Sequence, residues 1–294
     1  MITGRAKFYL ASMTIVAGLL MATGCFKTQR VVYTPHGYDI TKPKKYDLGS
    51  KLDEISGICW VNDTLMLANN DESGKIFLVN PRDMDNLEYV NVKFGEKNDY
   101  EDIVKVDSAV YVLISTGQIV KVTGYTNQAT VKTEEVASLP GDKNEFESLY
   151  YDKEVNSLIM LCKDCHKEKD KIRSAYRFDL ATNKLIDTPY YQFNMDELRK
   201  KMNDNAAEFR PSAASINPVD GKLYIVSSIG KTLVVADRKG KIEQCMQISA
   251  LMFSQPEGIT FAENGDMYIS NEVATEDAAT ILKFKYTRPA GAGK

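Results

Sequence analysis

One pattern recurs five times along the chain, at intervals of about 45 residues. Each copy has an acidic or small residue, then Gly, Asp or Ser, then an aliphatic residue that opens the first of several β-strands. The aliphatic positions are Ile58, Ile103, Leu149, Ile216 and Ile259, with spacings of 45, 46, 67 and 43 residues. Such a period, with four short strands per unit, is typical of β-propeller blades. The pattern therefore predicts an all-β, five-bladed propeller.

The second strands of the repeats support this assignment. They are nearly continuous apolar runs, such as residues 109–114 (AVYVLI) and 157–161 (SLIML), and strands covered on both faces have this composition. A six-bladed propeller is the alternative, because the third repeat carries about 21 extra residues that could hide a divergent blade.

The two ends of the repeat region predict how the ring closes. No fourth strand follows Tyr286, whereas residues 46–48 precede the first repeat at the spacing expected of a fourth strand. We therefore predict that this N-terminal strand completes the last blade, which removes the exposed sheet edges. In the third repeat, Met195 and Leu198 at helical spacing after the capping residue Asn194 predict a short helical insertion that covers part of one rim or side.

The N-terminal segment predicts export and a lipid anchor. Arg5 and Lys7 precede an apolar run of 14 residues, which is shorter than the roughly 20 residues of a membrane-spanning helix. Small residues then lead to Cys25, in a pattern that resembles a bacterial lipobox; an ordinary cleaved signal is the alternative. We expect four parts: a signal peptide removed from the chain (1–24), a lipidated N-terminus and tether (25–44), the propeller (45–287) and a flexible tail (288–294).

These features and the charge of the chain indicate its partners. The residues after Cys25 favour an outer-membrane lipoprotein of the bacterial envelope that faces the periplasm. The chain has 37 Lys and Arg against 40 Asp and Glu, a net charge of -3, with no basic stripe, so nucleic acid is not an expected partner. We expect a monomer that contacts the membrane through its lipid and binds a ligand or an envelope protein.

Short motifs along the repeats resemble the SdiA-regulated β-propeller family, which includes calcium-regulated propeller proteins. The matching segments are EISGI (54–58), NDESG (70–74), YEDI (100–103), FESL (146–149), QPEGI (255–259) and SNE (270–272). The resemblance implies a propeller with a link to calcium or to phosphate esters. The fourth repeat has no acid in residues 211–215 (PSAAS), so any ring of acids would be incomplete.

Glutamates at equivalent places in the repeats are candidate metal ligands. Residues at the start of each first strand gather near the propeller axis. The candidates are Glu101, Glu147 and Glu257 at first-strand starts, and Glu72 and Glu272 at second-strand ends. Carboxylates that converge repel each other unless a cation neutralises them or some take up protons, and Ca²⁺ suits such a site because it accepts roughly six to eight oxygen ligands. Alternatively, each glutamate accepts backbone N–H groups at a blade junction.

Cys162, Cys165 and His166 form a C-x-x-C-H motif, the pattern that attaches haem c. A blade offers no helical pocket to enclose a porphyrin, so haem c is not expected. The sequence favours a disulfide or paired thiols at Cys162 and Cys165, with a metal site as the alternative.

The chain shows no G-x-S-x-G motif, P-loop or His-Asp-Ser spacing typical of nucleophilic or nucleotide chemistry. The sequence therefore favours a lipid-anchored, non-catalytic binding module. The alternative is a calcium-dependent hydrolase of phosphate esters or lactones, in which carboxylates at one end of the central channel hold the ion. Catalysis would need basic or His residues at the same end of the channel, and Arg210 is the candidate.

Overall fold

The computed structural model describes residues 34–87, 89–139, 143–274 and 278–288. The predicted signal peptide, Cys25 and the first part of the tether lie outside these ranges. Within the described ranges, no helix is both long and apolar enough to span a membrane.

In the described part of the chain, twenty strands form five antiparallel sheets of four strands each, which confirms the five-bladed propeller. Strand β1 (Lys44–Asp47) comes first and is followed by a short 3-10 helix, Ser50–Leu52. Blade one contains β2 (Ile55–Asn62), β3 (Leu65–Asn70), β4 (Lys75–Val79) and β5 (Val90–Lys93). Blade two contains β6 (Tyr100–Val106), β7 (Ala109–Ile114), β8 (Gln118–Thr123) and β9 (Lys132–Ser138).

The remaining blades follow the same order. Blade three contains β10 (Asn144–Asp152), β11 (Ser157–Cys165), β12 (Ile172–Asp179) and β13 (Lys184–Asn194), followed by the helix α1 (Met195–Met202). Blade four contains β14 (Ala213–Ile216), β15 (Leu223–Ser227), β16 (Thr232–Ala236) and β17 (Ile242–Gln247). Blade five contains β18 (Pro256–Phe261), β19 (Met267–Asn271) and β20 (Thr280–Phe284), with β1 as its outer strand.

The blades are arranged in a closed ring. Their inner strands contact one another in the order β2, β6, β10, β14, β18 and back to β2. Five apolar clusters fill the spaces between neighbouring blades. The apolar second strands are therefore covered on both faces, as their composition predicts.

The N-terminal strand closes the ring as predicted. β1 pairs antiparallel with β20, and Tyr46 lies opposite Ile281. Both side chains are buried in the cluster between blades five and one. The last blade therefore gains a fourth strand from the opposite end of the chain, and this pairing joins the two ends of the repeat region.

The extra residues of the third repeat do not form a sixth blade. They lengthen the strands, since β10 and β11 have nine residues each and β13 has eleven, and they form α1. The Asn194 side chain accepts the backbone N–H groups of Asp196 and Glu197, as an N-cap does. Met195 and Leu198 are buried between blades three and four, so the predicted helical insertion covers the side of the propeller there.

The fourth repeat begins two residues earlier than the sequence pattern indicates. Ala214, not Ile216, pairs with Ile225, the third residue from the C-terminal end of the second strand of this blade. Ile259 of blade five pairs with the corresponding Ile269. The structural counterpart of Ile259 is therefore Ala214, and the assignment to Ile216 was wrong because alanine replaces the larger aliphatic residue of the other repeats.

Candidate functional site

A cavity of about 520 Å³ opens at the end of the channel where the first strands begin and the second strands end. We call it the mouth. All five blades contribute to its lining, and three backbone positions per blade account for almost all of it. The chemistry of the mouth therefore depends on which residue each repeat places at these positions.

The first position lies near the start of each first strand and is a β-bulge in blades two, three and five. Register shifts leave Glu101, Glu147 and Glu257 without a partner residue in the neighbouring strand, and a bulge redirects the side chain of the extra residue. All three glutamates line the mouth. Ser56 and Ser212 hold the position in blades one and four, so the ring of acids is incomplete there.

The second position lies at the mouth end of each second strand. Its occupants are Asp71, Ser115, Lys163, Ser228 and Glu272, all in the lining. The backbone N–H groups of Asp71 and Glu272 donate to the carbonyls of Glu54 and Gln255, respectively, which shows that the two acids are equivalent.

This equivalence corrects the assignment of Glu72 to the mouth. Glu72 follows Asp71 by one residue, has an exposed side chain and forms an ion pair with Lys97 at 3.1 Å. The repeat offers two adjacent acids, and a shift of one residue along an extended chain turns a side chain to the opposite face. The mouth acid of blade one is therefore Asp71.

The third position lies two residues before the bulge. Asp99, Glu145, Arg210 and Gln255 occupy it in blades two to five and line the mouth. Arg210 is the base that the sequence indicated. Its guanidinium lies 3.0 Å from the Asp164 carboxylate, on blade three.

The charge of the mouth is unevenly distributed. The lining carboxylates are Asp71, Asp99, Glu101, Glu145, Glu147, Glu257 and Glu272. The basic side chains all belong to blades three and four: Lys163, Arg210 and Lys231. Sequence reasoning missed Lys163 and Lys231, although the alignment of Lys163 with Glu272 at second-strand ends could have identified the first. The mouth thus has an acidic part and a smaller basic part.

Burial and repulsion raise the pKa values of the mouth acids. Burial, with the nearby Glu147 and Asp99 charges, raises the pKa of Glu101 to about 10. Burial and Glu147 raise the pKa of Glu257 to about 8. Burial and a side-chain hydrogen bond with Glu54 raise that of Glu272 to about 8. These carboxyls retain protons near neutral pH because water and positive charge around them do not offset burial.

Glu147 differs from the other mouth acids because it has its own counter-ion. The Lys163 ammonium contacts its carboxylate. Burial raises the pKa of Glu147, and Lys163 opposes the rise, which leaves it at about 7. A lysine of the chain therefore supplies part of the positive charge that the clustered acids require.

In blade two, the residue that accepts backbone N–H groups at a blade junction is Asp102, which follows Glu101, and not the glutamate itself. Asp102 is buried, and its carboxylate accepts the N–H groups of Ile103 at 2.8 Å and of Leu149, in blade three, at 2.7 Å. Among the described residues, no backbone N–H group donates to the side chains of Glu101, Glu147 or Glu257. The carboxyls of Glu101 and Glu257 therefore stay available to a ligand, whereas Glu147 is paired with Lys163.

The two cysteines of the C-x-x-C-H motif lie directly behind the mouth. Cys162 and Cys165 form a disulfide, and the two residues between them reach the site. Lys163 contacts Glu147 and Asp164 contacts Arg210. The disulfide thus links the two ends of the last segment of β11, which carries one mouth base and the partner of another, while His166 is exposed.

Several solved structures share this fold. The TM-score is 0.56 with glutaminyl cyclase from Myxococcus xanthus, at 11% identity over 82% of this chain and 94% of that one. It is 0.52 with a luciferin-regenerating enzyme, at 10% identity over 85% and 96%. A protein of unknown function from Bacteroides thetaiotaomicron also gives 0.52, at 16% identity over 78% of this chain, which spans 55% of that protein. At these identities the likeness shows the fold alone.

Sequence comparison identifies the family. No curated protein sequence matches the chain significantly. The profile of the family described as SdiA-regulated matches residues 34–275, which include the five inner strands and the whole lining of the mouth. The chain therefore belongs to the SdiA-regulated family.

Proposed function

We propose that this chain is a binding module of the bacterial envelope, whose mouth takes up a calcium ion together with a small anionic ligand. The observation that carries the proposal is the cluster of half-buried carboxyls that line one mouth, with pKa values raised to about 8 or above at Glu101, Glu257 and Glu272. A divalent cation would replace the retained protons and relieve the repulsion.

The donor set suits calcium. Carboxylate oxygens are hard ligands, and Ca²⁺ tolerates irregular geometry. Glu101, Glu257 and Glu272 would hold the ion, because the third bulge glutamate, Glu147, is already paired with Lys163. The described residues of the mouth include no His or Cys, so a softer metal finds no preferred ligand there.

The basic part of the mouth would bind the anionic group. Arg210 and Lys231 line the mouth on blade four, and guanidinium and ammonium groups bind phosphate and carboxylate through charge-assisted hydrogen bonds. The Lys231 ammonium donates to the Ser254 carbonyl at 2.5 Å, which fixes its position in the lining. An anion bound here would also neutralise charge on the calcium ion.

A calcium-dependent hydrolase is the second candidate function. The observation that favours it is that three bases share the mouth with the acids, which is the arrangement that hydrolysis of a phosphate ester or lactone needs. Bound calcium would supply Lewis-acid polarisation of the substrate and of water. Arg210 would orient the anionic group, and Lys163 would stay with Glu147.

Calorimetric titration with calcium chloride tests the binding proposal. We expect wild type to bind one ion, and Glu257→Gln to bind it at least about tenfold more weakly because one ligand is lost. Glu72→Gln is the matched control, since Glu72 is an acid of the same rim outside the mouth lining. Equal affinity of all three proteins would contradict the proposal.

The two candidate functions differ in whether the calcium-loaded protein hydrolyses a substrate. The calcium-loaded protein would be incubated with a phosphate monoester and with a lactone. Hydrolysis that requires calcium and falls in Arg210→Lys supports the enzyme. Calcium binding without hydrolysis supports the binding module.

A further inference from the structure

A second group of ligand atoms lies outside the mouth lining, at the end of β11. One ligand atom each from Cys162, Cys165 and Glu168 lies within 4.8 Å of the others. All three residues are buried. Glu168 does not line the mouth, and the proposed function does not use it.

The Glu168 carboxylate is only half satisfied. Oε1 accepts the backbone N–H of Ser174 at 3.0 Å, whereas Oε2 has no hydrogen-bond partner among the described residues and is shielded from solvent. The whole residue is 5% exposed. A buried carboxylate oxygen without a partner costs free energy, so its retention beside two sulfur atoms points to a ligand for it.

We propose that, when its two cysteines are reduced, this cluster binds Zn²⁺ through Cys162, Cys165 and Glu168, so that the disulfide and the zinc site exclude each other. The C-x-x-C spacing is that of structural zinc sites. The Cα atoms of the two cysteines are 6.0 Å apart, close enough for both sulfurs to reach one ion. Two thiolates and one carboxylate leave the fourth position of a tetrahedral ion open to water.

The disulfide is reduced before the two cysteines bind zinc. A dithiol reductant breaks the disulfide by passing two electrons and two protons to the two sulfurs, and becomes a disulfide itself. Zn²⁺ then displaces both thiol protons as the thiolates bind it. The backbone N–H of Ser174 orients the carboxylate in either state, as outer-shell groups do for metal ligands.

Cobalt spectroscopy on the full chain tests the site. Protein reduced with a phosphine would be titrated anaerobically with Co²⁺, which reports thiolate ligands by a charge-transfer band in the near ultraviolet. We expect this band in reduced wild type, its displacement by Zn²⁺ and its absence in oxidised protein. Reduced protein that shows no such band would overturn the proposal.

Variants identify the ligands. Glu168→Gln keeps an oxygen for the Ser174 N–H and should weaken Zn²⁺ binding at least about tenfold, measured by competition with a chromophoric chelator. Cys162→Ser with Cys165→Ser should abolish the cobalt band. Cys245→Ser is the control, because this free thiol lies outside the cluster, and its zinc affinity should equal that of wild type. If Glu168→Gln bound Zn²⁺ as tightly as wild type, Glu168 would not be a zinc ligand.

X-ray absorption of the wild-type zinc protein does not depend on the folding of any variant. We expect two sulfur ligands with oxygen in the remaining positions. A zinc ion with no sulfur ligand, or with four, would contradict the assignment.

Discussion

The Lys163 ammonium contacts the Glu147 carboxylate inside the channel mouth. Their side chains are 24% and 11% exposed, so each is the main neutralising partner of the other. Removing one member of a buried ion pair leaves a charge that neither water nor protein compensates. The pair therefore provides a direct measure of how strongly the mouth acids depend on positive charge.

Lys163→Met should destabilise the protein by roughly 3 kcal/mol, because Glu147 then stays charged without its partner or must take up a proton. The free energy of unfolding would be measured in urea at pH 8, above the Glu147 pKa of about 7. Adding Glu147→Gln to Lys163→Met should recover most of the loss. If Lys163→Met alone were as stable as wild type, the ion pair would contribute little to the free energy of unfolding.

Stability should fall as the pH rises from about 5 to about 8. The folded protein holds protons on Glu257 and Glu272 up to about pH 8, whereas the same groups in the unfolded chain lose them near their ordinary pKa of about 4.3. The folded state therefore binds more protons across this window, and the free energy of unfolding decreases with pH.

Urea unfolding at a series of pH values measures this slope. Glu257→Gln cannot lose a proton and should give a shallower decrease than wild type. A free energy of unfolding that is constant or rises across the window would show that these carboxyls ionise normally in the folded protein.

Calcium should raise the melting temperature, and more strongly at pH 8 than at pH 6, because protons compete for the same carboxyls. A ligand that binds only the folded state stabilises it by about 2.7 kcal/mol at a hundredfold excess over its Kd. Scanning calorimetry in calcium and in chelator measures the effect, with Glu72→Gln expected to behave as wild type. Superimposable curves in calcium and in chelator would count against a calcium site.

Ring closure should depend on Tyr46. This side chain is buried at the junction of blades five and one, and truncating a large buried aromatic residue costs about 3 kcal/mol or more. We therefore expect Tyr46→Ala to lower the free energy of unfolding by about that amount. Lys45→Ala, which alters an exposed ion pair of the same strand, should change it by less than about 1 kcal/mol. If Tyr46→Ala and Lys45→Ala changed the free energy of unfolding equally, β1 would contribute little to ring closure.

Lipid attachment should require Cys25, which lies outside the described residues. Cells that express the protein would be grown with a labelled fatty acid, and the protein would be isolated and tested for label. We expect label in wild type and none in Cys25→Ser. Wild-type protein without label would contradict the lipobox interpretation.

The sequence predicts the propeller because each repeat carries its own strand pattern. The apolar second strands, the Asn194 cap and the spacing of residues 46–48 are local features, and the structure confirms the elements they predict. It also predicts the positions of Glu101, Glu147 and Glu257, since residues at the start of inner strands face the axis of any propeller.

Only the tertiary structure decides the composition of the mouth. The choice between Asp71 and Glu72 depends on a shift of one residue along the strand. The sequence pattern places the fourth repeat two residues too late, because Ala214 is smaller than the aliphatic residue at this position in the other repeats. Lys163 meets Glu147 within blade three, but its effect on Glu101 and Glu257 arises across the channel. Charges from separate repeats combine only when the ring closes and excludes water between them, so their pKa values are properties of the closed ring.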